Sequence, residues 1–283
     1  MTGGISKIVK IAGAATLVAP AAVAAVPAAA ASLPEVAVQS PVVQESSAQG
    51  SAASGVVASG VVAQWFPNVV ARLPEFIDSI IQTLVMVLVS GAISFALAVA
   101  FAVILTLTAK DGLAPNRVVF NALDKLVNLF RSIPFIILAA ALVPVTRAIS
   151  GTAIGTRGAI FPLVIGITPF FTRQIQSALA GIDPGLVEAA QSMGMSTGRI
   201  VFRVYLREAV PSIIRVSIIA IVSLIGLTAV VGIVGGGGLG DFAIRYGYQR
   251  YMLDVTYATV IVLVLLIGVI EFIGRQLVDI TEH

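Results

Sequence analysis

DPGLVEAAQSMGMSTGRIVFRVYLREAVP, residues 183–211, is the one polar, helix-capable island between long apolar runs. Asp183 is placed to cap a helix whose first position is Pro184, where proline's missing N–H is not needed. Leu186, Val187, Ala190 and Met193 fall on one face of that helix, with Glu188 and Gln191 elsewhere. Gly194 supplies the left-handed residue that ends it. Ser196 or Thr197 then caps a second helix, with Ile200, Val201, Val204 and Tyr205 on one side and Arg199, Arg203 and Arg207 on the other. The pattern predicts a short helical elbow with one apolar face, held at a membrane surface.

The rest of the composition explains why a membrane is needed. Apolar residues make up 58% of the chain, charged ones 11%, and the mean hydropathy is +1.03, which excludes a soluble domain of ordinary composition. There is no cysteine, so disulfides, thiolate metal sites and cysteine nucleophiles are excluded. The one histidine is the terminal His283. Neither a catalytic nor a metal site is expected. The net charge of +3 is small and the basic residues form no stripe suited to nucleic acid.

N-terminal to the elbow, residues 1–31 join Lys7 and Lys10 to an alanine-rich run ending Ala29-Ala30-Ala31. A secretory signal peptide and an uncleaved signal anchor both fit. Residues 32–72 are expected to form a flexible extracytoplasmic linker, poor in the side chains that offset ordering entropy over most of its length. Near its end, Trp65 and Phe66 suit a membrane interface. Ser79–Ala109 is an uncharged run of 31 residues, more than the roughly 20 a bilayer requires. Lys110–Arg131 reads as a polar return whose amphipathic part, Val118–Phe130, lies along the inner surface. Ser132–Thr146 and Gly158–Thr172 are uncharged runs of 15 residues with two prolines each, so both are expected to be broken spans.

C-terminal to the elbow, Val216–Gly240 reads as a span ending in Gly235–Gly238, Leu239, Gly240 and Asp241. Ala243–Asp254 makes an aromatic, charged outer cap, and Val255–Ile270 is the last span. The expectation is five transmembrane helices over residues 73–279, with a short tail at 280–283. Placing 110–131, 173–215 and 275–283 inside puts ten basic residues in the cytoplasm against five outside, so the elbow and C-terminus face the cytoplasm and the linker faces out.

Gly235, Gly237 and Gly240 spell G-x-G-x-x-G, but no strand precedes them, and a flexible outer turn is the better reading. No G-x-x-x-x-G-K-[ST] occurs, so ATP would have to be hydrolysed on another chain. The uncharged runs hold no ionisable group, which argues against an ion-coupled carrier. Ser223 and Thr228 are among the few polar groups within spans, and such hydroxyls most often bond their own helix.

Glu188-Ala189-Ala190, then Gly194, then Val204-x-Leu206 resembles the EAA loop of ABC importer permeases. Arg207 replaces that family's usual proline, which puts the local backbone of the second helix in question. Phe130–Leu138, Gly151–Thr156, and Gly235–Asp241 with Arg245–Tyr251 resemble the methionine importer subfamily, and the likeness covers about residues 73–279. This resemblance implies a type I permease bundle of five helices per subunit, working as a homodimer in the cell membrane. It also implies a cytoplasmic dimer of ATP-binding subunits, which carries ATP and Mg while this chain carries no cofactor, and an extracytoplasmic methionine-binding lipoprotein. Glu188, Ala189, Ala190, Gly194, Arg199 and Arg203 would couple to the ATPase. Gly235, Gly238, Gly240, Arg245, Tyr248 and Arg250 would meet the binding protein. Gly226–Val230 stands where relatives carry Gly-Tyr-Ser-Ala-Met, which places Ser223, Thr228 and Val230 near the substrate path. The long leader departs from the family's usual short start.

Overall fold

The computed structural model describes residues 64–281, in which all regular structure is helical. The predicted leader and the linker up to residue 63 lie outside the described residues. Helix α1, Pro67–Ala71, falls in the region expected to be linker. Its Val69 is buried, and Asn68 donates to Asp254 from both its backbone and its side-chain nitrogen at 2.9 and 3.0 Å. Order therefore begins before residue 72.

Helix α2, Leu73–Thr108, is 36 residues long, or about 54 Å at 1.5 Å per residue, against a hydrocarbon core of about 30 Å. It buries Met86, Ser90, Ser94, Ala98 and Ala102, a four-residue spacing that makes one stripe. Small Ala98 and Ala102 let α2 approach Phe171 and Ile175 closely.

Helix α3, Arg117–Ser132, starts where the Asn116 side chain accepts from the N–H groups of Val118 and Val119 at 3.1 and 3.2 Å. It stops at Ile133, which is extended because Pro134 follows. The expected span Ser132–Thr146 is instead two short helices, α4 at Phe135–Ala141 and α5 at Val143–Ser150, with Pro144 in the first turn of α5. Helix α6, Gly155–Ala180, runs unbroken through Pro162 and Pro169, contrary to the expectation of a second broken span. Both prolines are buried, so neighbouring helices cover α6 where two backbone bonds are missing.

The run α3–α5 packs against α6 at successive levels. Asn116 N–H bonds Thr108 O at the C-terminal end of α2, Asp124 and Asn128 meet Arg173, and the Phe135 ring covers Gly166. Thr146 then shares a cavity with Gly158, Ala159 and Pro162. The run climbs antiparallel to α6, covering roughly 20 Å of its length between Arg173 and Ala159.

The elbow is α7, Pro184–Ser192, then α8, Thr197–Ile200, a π-helical turn Val201–Tyr205, and α9, Leu206–Glu208. Helix α10, Val210–Ile233, ends before the glycine run, short of the expected Gly240. It is followed by α11, Gly238–Phe242, a second π-helical turn Ala243–Tyr248, and α12, Leu253–Thr281. Among the described residues, α2, α6, α10 and α12 are each long and apolar enough to cross a membrane alone. Their core runs in three clusters from the elbow end, around Phe171 and Ile175, through Leu163 and Leu224, to Phe76, Phe242 and Tyr246 at the opposite end.

Candidate functional site

The elbow forms as its caps dictate. Asp183 accepts from Gly185 N–H at 2.8 Å, and Gly194 adopts φ +72°, so that Met195 N–H reaches back to Ala190 O at 3.1 Å. Val187, Ala190 and Ile200 close a small core with Leu113, Val204 and Tyr205. Tyr205 and Leu206 also pack against the α2–α6 cluster, so the elbow is rigidly joined to the bundle.

Ala190 is buried, while Glu188, Ala189, Gly194, Arg199 and Arg203 are exposed. Leu186 and Met193 do not share the buried face as the wheel suggested. Two short helices are too thin to cover every apolar position, and Met193 and Phe202 are each 73% exposed. A cleft of about 620 Å³ behind the elbow is lined by Asp111, Gln176, Glu188, Gln191 and Tyr205, among others.

At the end of the bundle opposite the elbow the glycine run is tightly held, in place of the expected flexible turn. Gly235, Gly237 and Gly238 all have φ between +76° and +86°. Gln82 accepts from Gly238 N–H at 2.8 Å, Thr83 from Leu239 N–H at 2.9 Å, and Gly235 O from Gly155 N–H at 2.8 Å. Gly238 is buried and Gly240 half-buried beside Ala229, so these two glycines pack inward. Arg245, Tyr248 and Arg250 are exposed. Asp241 binds Arg245 at 2.5 Å and raises its pKa further above the usual guanidinium value. Tyr246 donates to Glu75 at 2.5 Å, with the guanidinium groups of Arg72 and Arg250 4.4 and 5.0 Å from its ring centre.

On α10, Ser223 donates to Ile219 O and buried Thr228 to Ile225 O, at 2.9 and 2.7 Å, while Val230 is half-buried. Both hydroxyls are therefore satisfied by their own helix.

Sequence reasoning missed one polar cluster. Arg173 donates to Asp124 at 2.5 Å, to Asn128 at 3.0 Å and to Gln176 at 2.7 Å, joining α6 to α3. Because α6 extends to Ala180, Arg173 stands seven residues inside it, and the uncharged runs understated the helices. The readable signal was the spacing of Arg117, Asn121, Asp124, Asn128 and Arg131 along one line of α3.

Residues 98–283 match the family described as "Binding-protein-dependent transport system inner membrane component". A probable D-methionine transport system permease protein MetI of Vibrio cholerae is 46% identical over 181 residues, 64% of this chain and 80% of that one. The methionine import system permease protein MetP of Bacillus subtilis is 40% identical over 219 residues, 77% of this chain and 98% of that one. A chain of the inward-facing MetNI methionine ABC transporter superposes with TM-score 0.73 at 36% identity, covering 75% of this chain and 98% of its own. An amino acid ABC transporter crystallised with histidines, at 15% identity and TM-score 0.64, shares the fold alone.

Proposed function

The chain belongs to the family of binding-protein-dependent transport system inner membrane components, a multi-pass membrane family, and on that premise we propose that it is the permease subunit of an ATP-driven methionine importer. The substrate follows from relatives whose names carry methionine and which this chain matches over most of their length. The chain forms the path and does no chemistry. ATP and Mg belong to a separate cytoplasmic ATPase dimer, and two copies of this chain form the permease. A methionine-binding lipoprotein delivers substrate to the outer cap, where Arg245, Tyr248 and Arg250 are exposed.

The elbow carries this reading. One side is locked into the bundle through Val187, Ala190 and Ile200, and the other presents Glu188, Arg199 and Arg203 beside bare Met193 and Phe202. An exposed apolar patch ringed by charge fits a docking surface. Closure of the ATPase moves the elbows, and the rigid joint at Tyr205 and Leu206 passes that motion to α2 and α6. Each conformational shift follows from differential affinity for the two states.

The test is ATP-dependent uptake of labelled methionine into proteoliposomes holding the chain, its ATPase and its binding protein, with Glu188→Arg in parallel. We expect uptake to require ATP and to fall sharply in the variant, with insertion intact. ATP hydrolysis without methionine uptake would discard the substrate. Uptake driven by an ion gradient with no ATPase bound would discard the importer.

A further inference from the structure

We propose that the polar line of α3 and the Arg173–Gln176 turn of α6 wall the cytoplasmic half of the translocation path, and that the Arg173–Asp124 pair there receives the charged groups of an amino-acid zwitterion. This rests on the importer reading above and names its substrate contacts.

Helix α3 has two exposed surfaces of opposite character. Arg117, Asn121, Asp124, Asn128 and Arg131 recur at spacings of four and three, which sets them on one line. Val118, Ala122, Leu126 and Leu129 form a separate line, apolar and also exposed. Lipid suits the second line and cannot suit the first, because polar groups at membrane depth face water or other protein. Depth follows from α6. Arg173 lies seven residues, or about 10 Å, above that helix's cytoplasmic end. The climbing run α3–α5 brings Asp124 and Asn128 to the same level.

The cluster is held in place yet open. Arg173 and Asp124 retain 21% and 29% side-chain exposure. Three of the five guanidinium N–H donors are taken by Asp124, Asn128 and Gln176, which fixes the fork and leaves two free. The Asp124 carboxylate accepts from Arg173 and from the Asn128 amide at 3.0 Å, with acceptor capacity left over. An α-carboxylate can therefore add to Arg173 and an α-ammonium to Asp124. Pair and ligand are each neutral overall, so loading adds no net charge to the site. Gln176 also lines the cleft behind the elbow, which sets these contacts beside the moving part.

The absence of cysteine from the chain makes the test direct. Single variants Asn121→Cys and Asn128→Cys, in the assembled transporter in inside-out vesicles, are treated with a membrane-impermeant maleimide. Lys110→Cys, in the exposed loop after α2, is the labelled control, and Ala122→Cys and Leu126→Cys are the lipid-facing ones. We expect the two asparagine positions to label like Lys110→Cys and the lipid-facing pair not to label. Methionine should protect Asn128→Cys, whereas 3-methylthiopropylamine and 4-methylthiobutanoate, each carrying one of the two charges, should not. Protection should vanish when Arg173→Gln and Asp124→Asn are combined, with labelling retained. An unlabelled asparagine line beside a labelled Lys110→Cys overturns the inference, as does equal protection by all three compounds. ATP-driven release of labelled methionine, enclosed in the vesicle lumen with the binding protein, reads the importer function separately. Release with an unlabelled line would refute this wall and leave the importer standing.

Discussion

Gly238→Ala tests whether the outer glycine run is a clamp. Gly238 has φ +76°, a region that costs an L-residue about 1–2 kcal/mol. An added Cβ would also sit 2.7 Å from Met86 Cε and 2.7 Å from Thr83 Oγ1. The methionine end can yield, but Thr83 is 1% exposed, donates to Ser79 O and accepts from Leu239 N–H. Displacing it strands a buried N–H, at about 1–3 kcal/mol. The expected destabilisation is the sum, about 2–5 kcal/mol. Gly268→Ala, where no atom lies within 4 Å of the new Cβ in mid-α12, should instead be neutral or stabilise by up to about 1 kcal/mol. The assay is unfolding of the purified chain in mixed micelles by SDS titration. In a Thr83→Ala background the Gly238→Ala penalty should shrink, because the two share one contact. Equal midpoints for Gly238→Ala and wild type would refute the clamp. An undiminished penalty in the double variant would assign it to φ and Met86 and refute the part given to Thr83.

Thr146 is 2% exposed and its hydroxyl has no partner among the described residues, so Thr146→Val should be neutral or stabilising by about 1 kcal/mol in the same titration. Tyr246→Phe keeps the ring between Arg72 and Arg250 and deletes only the bond to Glu75, whose side chain is 53% exposed. The loss should stay near 1 kcal/mol, and Tyr246→Ala should cost clearly more in thermal unfolding.

The elbow was legible because its signals are local. Asp183, Pro184 and Gly194 act within a few residues of themselves, and each does in the fold what its chemistry dictates. Long uncharged runs likewise marked α2 and α12, although both helices extend past them into charged residues that a wet helix end tolerates. Other features depended on partners far away in sequence. Helix continuity through Pro162 and Pro169 comes from neighbours, distant in sequence, that bury both prolines. The rigidity of Gly235–Gly238 comes from Gln82 and Thr83, some 155 residues earlier. An amphipathic pattern such as that of α3 states which faces differ, but not whether the polar face meets bulk water or a path through protein. Coupling at Glu188 and delivery at Arg245 depend on surfaces of other chains, which this sequence does not encode.

The π-helical turns at Val201–Tyr205 and Ala243–Tyr248 lie beyond opposite ends of α10, and each holds one residue more than an α turn would need. The surplus widens the backbone just where an aromatic ring must be seated. The first turn sets Tyr205 against the cluster around Phe171 and Ile175, and the second sets Tyr246 into the cluster with Phe76 and Phe242. Each π turn is thus a socket that fixes one ring in the packed core.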